Sequence, residues 1–200
     1  MRFFSTVSIV CTAALAAFSV AVPVAEESKV VARQSTTSIA AIFSTAFTEI
    51  APLAQSLLYL NSDNATQATI TPIISQISAP LNNALTSVNG LKSQGVSQNE
   101  LLLSEDGSEI LSVGALAALI AADLILLFKA IGVVLAIVGA DLLAILIPLL
   151  YAVGILVYKI LFVVLGLVAG LLFALTPLLG SIVGVLDTLG LTVLLLLLAL

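Results

Sequence analysis

The stretch AADLILLFKAIGVVLAIVGADLLAIL, residues 121–146, decides the fold class because its side chains are almost all apolar. The same composition extends over residues 110–200, which contain no Glu, Arg, Asn, Gln or His. The charged residues of that range are Asp123, Lys129, Asp141, Lys159 and Asp187. A helix that is apolar on every side has no face for water and lies in a membrane or in a large core. The stretch must therefore insert into lipid, self-assemble or meet another apolar phase.

Composition divides the chain into two unlike segments. Of its 200 residues, 61% are hydrophobic and 8% are charged, whereas an ordinary globular domain carries about 25% charged residues. Most Ser, Thr, Asn and Gln residues fall within 34–107, and the strongly hydrophobic segment is 108–200. The net charge is −5 and the six basic residues are scattered. This pattern argues against nucleic acid as a partner, because phosphate binding needs clustered Lys and Arg.

The N-terminus has the features of a secretory signal peptide over residues 1–21. Arg2 is followed by a short apolar core and by small residues at its exit, which predicts cleavage between Ala21 and Val22. A second cut between Arg33 and Gln34 would make residues 22–33 a propeptide. The only cysteine, Cys11, would leave with the signal. Small secreted domains are commonly held by disulfides, so this one must be held by apolar burial.

Segment 34–107 is predicted to form an amphipathic helical hairpin. Apolar residues recur three or four positions apart in the first helix; they are Ile39, Ile42, Phe43, Ala46, Phe47 and Ile50. Its candidate N-caps are Ser35, Thr36 and Thr37, and Pro52 is expected to bend or end it. The second helix is predicted to begin with Thr71 as N-cap and Pro72 as its first residue, to kink at Pro80 and to stop at Gly90.

Two connecting segments carry recognisable signals. The turn NSDNAT, residues 61–66, contains the glycosylation sequon Asn64-Ala65-Thr66, and Asn64 is predicted to carry a glycan. Ser97 and Glu100 have the spacing of a capping box, which predicts a short helix there. The domain boundary is placed near Gly107.

Segment 108–200 is predicted to form three to five strongly hydrophobic helices, so the fold class is all-α. Breaks are expected near Pro148, Lys159, Pro177 and Gly190. Small residues follow one another at four-residue spacing, which on a helix makes a groove that admits another backbone. The groove residues are Gly132, Ala136, Ala140 and Ala144, then the pairs Gly166 and Gly170, and Gly180 and Gly184. Helix association, including self-association, is the activity to which such a surface is suited.

The charges inside the apolar segment favour a structural interpretation. Asp123, Asp141 and Lys159 follow one another at 18-residue spacing, about five helical turns, so any two would share a face on one unbroken helix. Intramembrane ion or proton ligands are one hypothesis. Helix caps, a watery rim or pairing between helices explain isolated charges better, and Asp141 and Asp187 both stand where a helix would start.

Catalytic and cofactor motifs are absent from the sequence. The chain has no His, and its single cysteine lies in the predicted signal, so Ser–His–Asp and Cys–His catalysis are excluded. There is neither a zinc ligand set nor a phosphate-binding loop of the Walker type. We expect a protein that is not an enzyme and that uses no cofactor or metal.

The sequence resembles a family of small structural proteins secreted by mushroom-forming fungi. The resemblance is carried by the signal MRFFSTVSIVCTAALAAFSVA, the junction VVARQ (30–34), the helix ITPIISQISAPLNNALTSVNGL (70–91) and the long Leu/Val/Ala/Gly tail. It implies a protein of the cell wall and mucilage that helps hyphae leave the medium and attach to hydrophobic surfaces. The chain is not a hydrophobin, because those depend on a fixed cysteine pattern.

Two functions of different classes follow. The first is a secreted amphiphile of the fungal cell wall or extracellular matrix, whose partners are copies of itself and hydrophobic surfaces. The alternative is a multipass membrane protein with an extracytoplasmic N-terminal domain, for which Lys129 and Lys159 give little positive-inside signal. A lipid-anchor signal in the last ten residues is a third reading, but no polar spacer precedes it.

Overall fold

Helices form nearly all the regular structure of residues 38–200, the part of the chain that the computed structural model describes. The helices are α1 (Ile39–Leu58), α2 (Gln67–Gln94), α3 (Gln98–Leu101), α4 (Val113–Ile137), α5 (Ala140–Leu167), α6 (Leu171–Leu175), α7 (Val183–Thr188) and α8 (Thr192–Leu198). Two 3₁₀ turns, Thr176–Leu178 and Gly180–Ile182, join α6 to α7. Leu103 and Ile110 form an isolated antiparallel bridge. The all-α prediction is confirmed, and the predicted cleavage sites Ala21/Val22 and Arg33/Gln34 lie outside the described residues.

Helix α1 follows the predicted apolar stripe, but its cap differs from the expectation. Ser38 is the N-cap and its hydroxyl accepts from the Ala41 N–H at 3.1 Å; Ser35, Thr36 and Thr37 lie outside the described residues. The helix continues through Pro52 to Leu58; of the two predicted effects of Pro52, the end of the helix is therefore wrong, and a bend there stays a prediction. Pro52 is exposed, and water can therefore satisfy the carbonyl that loses its N–H partner.

Helix α2 begins earlier and ends later than predicted. Thr66 is its N-cap, accepting from the Thr69 N–H at 3.2 Å, so Thr71 is not the cap and Pro72 lies inside the helix. Gly90 is helical, and the left-handed C-cap is Gly95 at φ 62°. Either glycine can adopt that conformation at little cost, and local sequence did not distinguish them. The Ser97–Glu100 capping box is confirmed, with both of its reciprocal hydrogen bonds present.

The apolar segment forms five helices, α4 to α8, as the prediction of three to five allows. The breaks near Pro177 and Gly190 are confirmed. Helix α5 runs through Pro148 and Lys159, so the breaks expected there are wrong; both residues are exposed. A break at positions 138–139 separates α4 from α5, with Gly139 as an N-cap that has no side-chain bond; it lies just before the helix start predicted at Asp141.

The two segments share one core. Helix α1 packs against α2 and α4, α2 makes its most extensive contact with α5, α6 and α7 lie on α4, and α8 lies on α5. The hairpin thus provides the partner faces that the apolar helices need. Leu127 and Phe128 of α4 are fully buried, and burying each such side chain contributes about 1.5–3 kcal/mol. The predicted boundary at Gly107 lies in a turn, and residues on its two sides form a single compact unit.

Candidate functional site: two surfaces of opposite polarity

The exposed side of α2, here called the polar face, carries hydroxyl and amide groups. Its residues are Gln67, Thr69, Ser75, Gln76, Asn82, Asn83, Thr86, Ser87, Asn89, Lys92 and Ser93. Several bond to carbonyls one turn earlier, as Thr86 Oγ1 does to Asn82 O at 3.0 Å and Asn89 Nδ2 to Leu85 O at 2.9 Å. Such groups compete for backbone bonds, yet the helix holds because Ile70, Ile74, Ile77, Leu81 and Val88 bury its other side.

The surface of α4 to α8, here called the apolar face, has the opposite composition. Its exposed large side chains are Leu119, Ile145, Tyr151, Phe162, Leu172, Phe173, Leu178, Val193 and Leu196. Phe173 is 90% exposed and Leu196 81%. Nearly half of the exposed residues between 113 and 200 are Gly or Ala. Extended exposed apolar surface marks an interaction site.

The two faces lie on helices that pack directly on each other. Helix α2 makes its most extensive contact with α5, and both helices have 28 residues. If α5 crossed a bilayer while keeping this contact, amides and hydroxyls of α2 would lie beside hydrocarbon. Polar side chains at that depth are costly and ordinarily face the interior of a bundle or a water-filled cavity.

Length and composition alone would allow three of the described helices to cross a membrane. They are α1, α4 and α5, and the bent pair Leu171–Leu178 and Gly180–Thr188, with an angle of 52° between its parts, would make a fourth. Helix α2 is not among them, although it packs on α5. A spanning bundle that kept α2 on α5 would therefore have to shield the polar side chains of α2 from lipid.

The predicted ladder of small residues is divided between two helices, which corrects the expectation of one continuous groove. Gly132 and Ala136 lie on α4, whereas Ala140 and Ala144 lie on α5 beyond the break. A Cβ added at Gly132 would lie 3.0 Å from Val185 Cγ2, so this position does receive α7. The three alanines are exposed, and their role in self-association stays a prediction.

The two predicted glycine pairs do not lie on single helices either. Gly166 belongs to α5, while Gly170 precedes α6 with φ 82°. Gly180 lies in a 3₁₀ turn and Gly184 in α7. A Cβ at any of these four would meet no atom within 4 Å. Within residues 38–200, these glycines therefore form no occupied helix–helix groove.

Among the described glycines, the one with the closest neighbour is a residue that the sequence did not single out. Gly154 is buried in α5, and an added Cβ would overlap Leu191 Cδ1 and lie 2.9 Å from Cδ2. Leu191, the N-cap of α8, is fully buried. No glycine or alanine stands four positions from Gly154, so its spacing carried no signal.

The charged residues occupy different environments. Asp123 is half-buried on α4, and desolvation raises the pKa of its carboxyl to about 6. Lys129, Asp141, Lys159 and Asp187 are exposed. Asp123 lies on a different helix from Asp141 and Lys159, so the three do not share one face.

The two predicted helix starts at aspartates have opposite outcomes. Asp141 lies in the first turn of α5, where a negative charge favours the helix N-terminus, and that prediction is confirmed. Asp187 lies in the last turn of α7, so the prediction of a helix start there is wrong.

Two polar turns mark the connections of the hairpin. Asn64 is exposed, and its carboxamide oxygen accepts from the Asn61 N–H at 2.8 Å, which leaves the amide nitrogen outside this bond. Glycosylation at Asn64 stays a prediction. Asp106 accepts from Ser104 Oγ at 2.6 Å and from the Ser108 N–H at 3.1 Å. These bonds lower the pKa of Asp106 to about 2 and order the turn before α4.

Comparison with known proteins adds no functional assignment: the chain matches no protein-family model, no curated protein and no solved structure.

Proposed function

We propose that the chain is a secreted structural amphiphile of the fungal cell wall or extracellular matrix. It acts at hydrophobic interfaces, in aerial hypha formation and surface attachment, by self-assembly or adsorption. The observation that carries the proposal is the contact between α2, whose exposed side is polar, and α5, whose outward side is apolar except for Asp141 and Lys159. An amphiphile needs this separation of polarity within one rigid body.

The resemblance to fungal structural proteins and the signal-like N-terminus support the extracellular location. The apolar face supports the interfacial role, because its exposed Phe and Leu side chains lower their free energy by leaving water, at about 25 cal/mol per Å² removed. The polar face would remain hydrated. Adsorption in this orientation requires no unfolding of the core.

A multipass membrane protein is the second candidate, and the length and composition of α1, α4 and α5 favour it. The polar side chains of α2 oppose it, because they would have to leave α5 or enter lipid. An amphiphile leaves these side chains in water without any change to the fold, whereas a spanning bundle would have to shield them from lipid.

Fractionation separates the two candidates. An amphiphile is expected in medium and cell wall, and carbonate washing should strip it from membranes. Recovery only in carbonate-washed membranes, with a protease-protected C-terminal fragment, would reject the proposal.

Adsorption then tests the apolar face itself. Binding to a fluorocarbon surface is measured by quartz-crystal microbalance for Phe173→Ser, Leu196→Ser and the control Tyr59→Ser. Tyr59 is 83% exposed but lies at the end of α1. The first two variants should adsorb less than wild type and the control should not; equal adsorption of all three would reject the apolar face as the contact surface.

A further inference from the structure

One stripe on the outward side of α5 lies opposite the residues that face the core. Seven exposed or half-buried residues form this stripe at alternating spacings of four and three; they are Asp141, Ile145, Pro148, Ala152, Ile155, Lys159 and Phe162. That spacing averages about 3.5 residues, the repeat of a left-handed coiled coil. We call these residues the α5 seam. The buried residues of α5, such as Leu150, Val153 and Val157, face the core instead, so the seam is a second face of the same helix.

The only charged residues of α5 stand in the seam, and their signs are opposite. Asp141 lies in the first turn and Lys159 lies 18 residues later, about 27 Å along the axis. Both side chains are exposed. They are too far apart to pair within one helix, because helical ion pairs form at a separation of three or four residues.

We propose that the α5 seam is the contact surface of a two-fold symmetric, antiparallel dimer of this chain. The two-fold axis passes the two α5 helices at the level of residue 150. Asp141 then faces Lys159 of the second copy, and Ile145 faces Ile155 of the second copy. At the centre, Pro148 faces Ala152 of the second copy. Two-fold symmetry repeats each pair on the other side of the axis. A parallel pair in register would instead place Asp141 against Asp141 and Lys159 against Lys159, and such like-charge contacts are unfavourable.

The side chains of the seam fit this pairing. Pro148 and Ala152 are small at the centre and allow the helices to approach, while Ile145 and Ile155 form the apolar layers that flank them. The charged layers close the two ends. This dimer rests on the proposed function in one respect: its role in assembly outside the cell requires the chain to be the secreted amphiphile, whereas the pairing itself does not. It specifies the first step of the proposed self-assembly.

Charge exchange tests the pairing. The full chain is purified in mild detergent with Cys11 replaced by serine, and the dimer dissociation constant is measured by sedimentation equilibrium. Asp141→Lys and Lys159→Asp should each raise the dissociation constant by at least about tenfold, because each creates two like-charge contacts. The double variant should restore it. Equal dissociation constants for all four proteins, or weakening that the double variant does not reverse, would overturn the proposal.

Cysteine cross-linking gives a readout that does not depend on altered charges. An equal mixture of Ile145→Cys and Ile155→Cys chains should form a mixed disulfide under mild oxidation, and Ile145→Cys alone should not. In the antiparallel pair, two copies of position 145 stand ten residues apart, about 15 Å. An Ile145 homodisulfide as the main product, or no disulfide in either sample, would overturn the antiparallel pairing. Far-UV circular dichroism verifies that each variant is folded.

The two proposals fail in different experiments. If the mixed disulfide forms but the chain is recovered only in carbonate-washed membranes, the amphiphile is rejected and the pairing stands. If the chain is recovered in wall and medium but neither cross-links nor dimerises, the pairing is rejected and adsorption by the monomer remains.

Discussion

Gly154→Ala tests the close packing of α5 against Leu191. Gly154 is buried in α5, and a Cβ there would overlap Leu191 Cδ1 and lie 2.9 Å from Cδ2 and 3.1 Å from Cγ. Leu191 is at 0% exposure, so its side chain has little space into which to move. Overpacking a core in this way costs about 1–3 kcal/mol.

Helix propensity acts in the opposite direction. Replacing Gly by Ala inside a helix stabilises it by roughly 0.8–1.0 kcal/mol. The expected net effect of Gly154→Ala is therefore a loss of about 1 kcal/mol. Gly166→Ala is the matched control in the same helix, because Gly166 is exposed and a Cβ there meets no atom within 4 Å. The control should stabilise the chain by up to about 0.8 kcal/mol.

The free energy of unfolding is measured by urea denaturation in mild detergent, followed by far-UV circular dichroism. Leu191→Ala removes the atoms that the new Cβ would meet, so Gly154→Ala should no longer destabilise in that background. The double-mutant cycle should give a coupling of about 1–2 kcal/mol. If Gly154→Ala stabilises the chain as much as Gly166→Ala does, the close approach of α5 to Leu191 is refuted.

Three further predictions concern single side chains. Burial raises the folded-state pKa of Asp123 from 3.8 to about 6, so the free energy of unfolding should fall as pH rises from about 4 to about 6. Asp123→Asn should abolish that fall and stabilise the chain at pH 7 by about 1 kcal/mol, a value discounted for partial exposure. Urea denaturation across this pH range measures both effects. Ser38→Ala should lower the free energy of unfolding by about 1–2 kcal/mol and Ser112→Ala by about 1 kcal/mol. Both hydroxyls cap helices, but only that of Ser38 also donates to Ser104 O, at 3.3 Å. Equal losses in thermal denaturation would argue against the bond between Ser38 and Ser104. Phe128→Ala should cost about 3–5 kcal/mol, since Phe128 is fully buried, and a loss below 1 kcal/mol in urea would contradict that burial.

The sequence predicted elements where an apolar stripe or a reciprocal cap was distinctive. The stripe from Ile39 to Ile50 identified α1 because its spacing matches the helical period, and Ser97 with Glu100 identified α3 because the capping box is a local interaction. The pairing of α2 with α5 could not be predicted, since it depends on contacts between positions far apart in sequence.

Errors cluster where local sequence is ambiguous. Pro72 and Pro148 were expected to start or break helices, yet both are exposed and lie inside them. The break at positions 138–139 has only a valine and a glycine within an apolar run, and the acidic Asp141 in the first turn of α5 is the signal that marks it. The ladder from Gly132 to Ala144 was predicted as one groove although it crosses this break. The buried Gly154 belongs to no pattern of small residues.

The abundance of Gly and Ala on the outside of α4 to α8 bears on the kinds of surface to which the protein can adsorb. Methyl groups and bare backbone offer few hydrogen-bonding groups that would have to match a target. Adsorption would then be driven by the removal of apolar surface from water, which is non-directional and roughly proportional to the area covered. The apolar face would therefore adhere to wax, plastic and the air–water boundary alike.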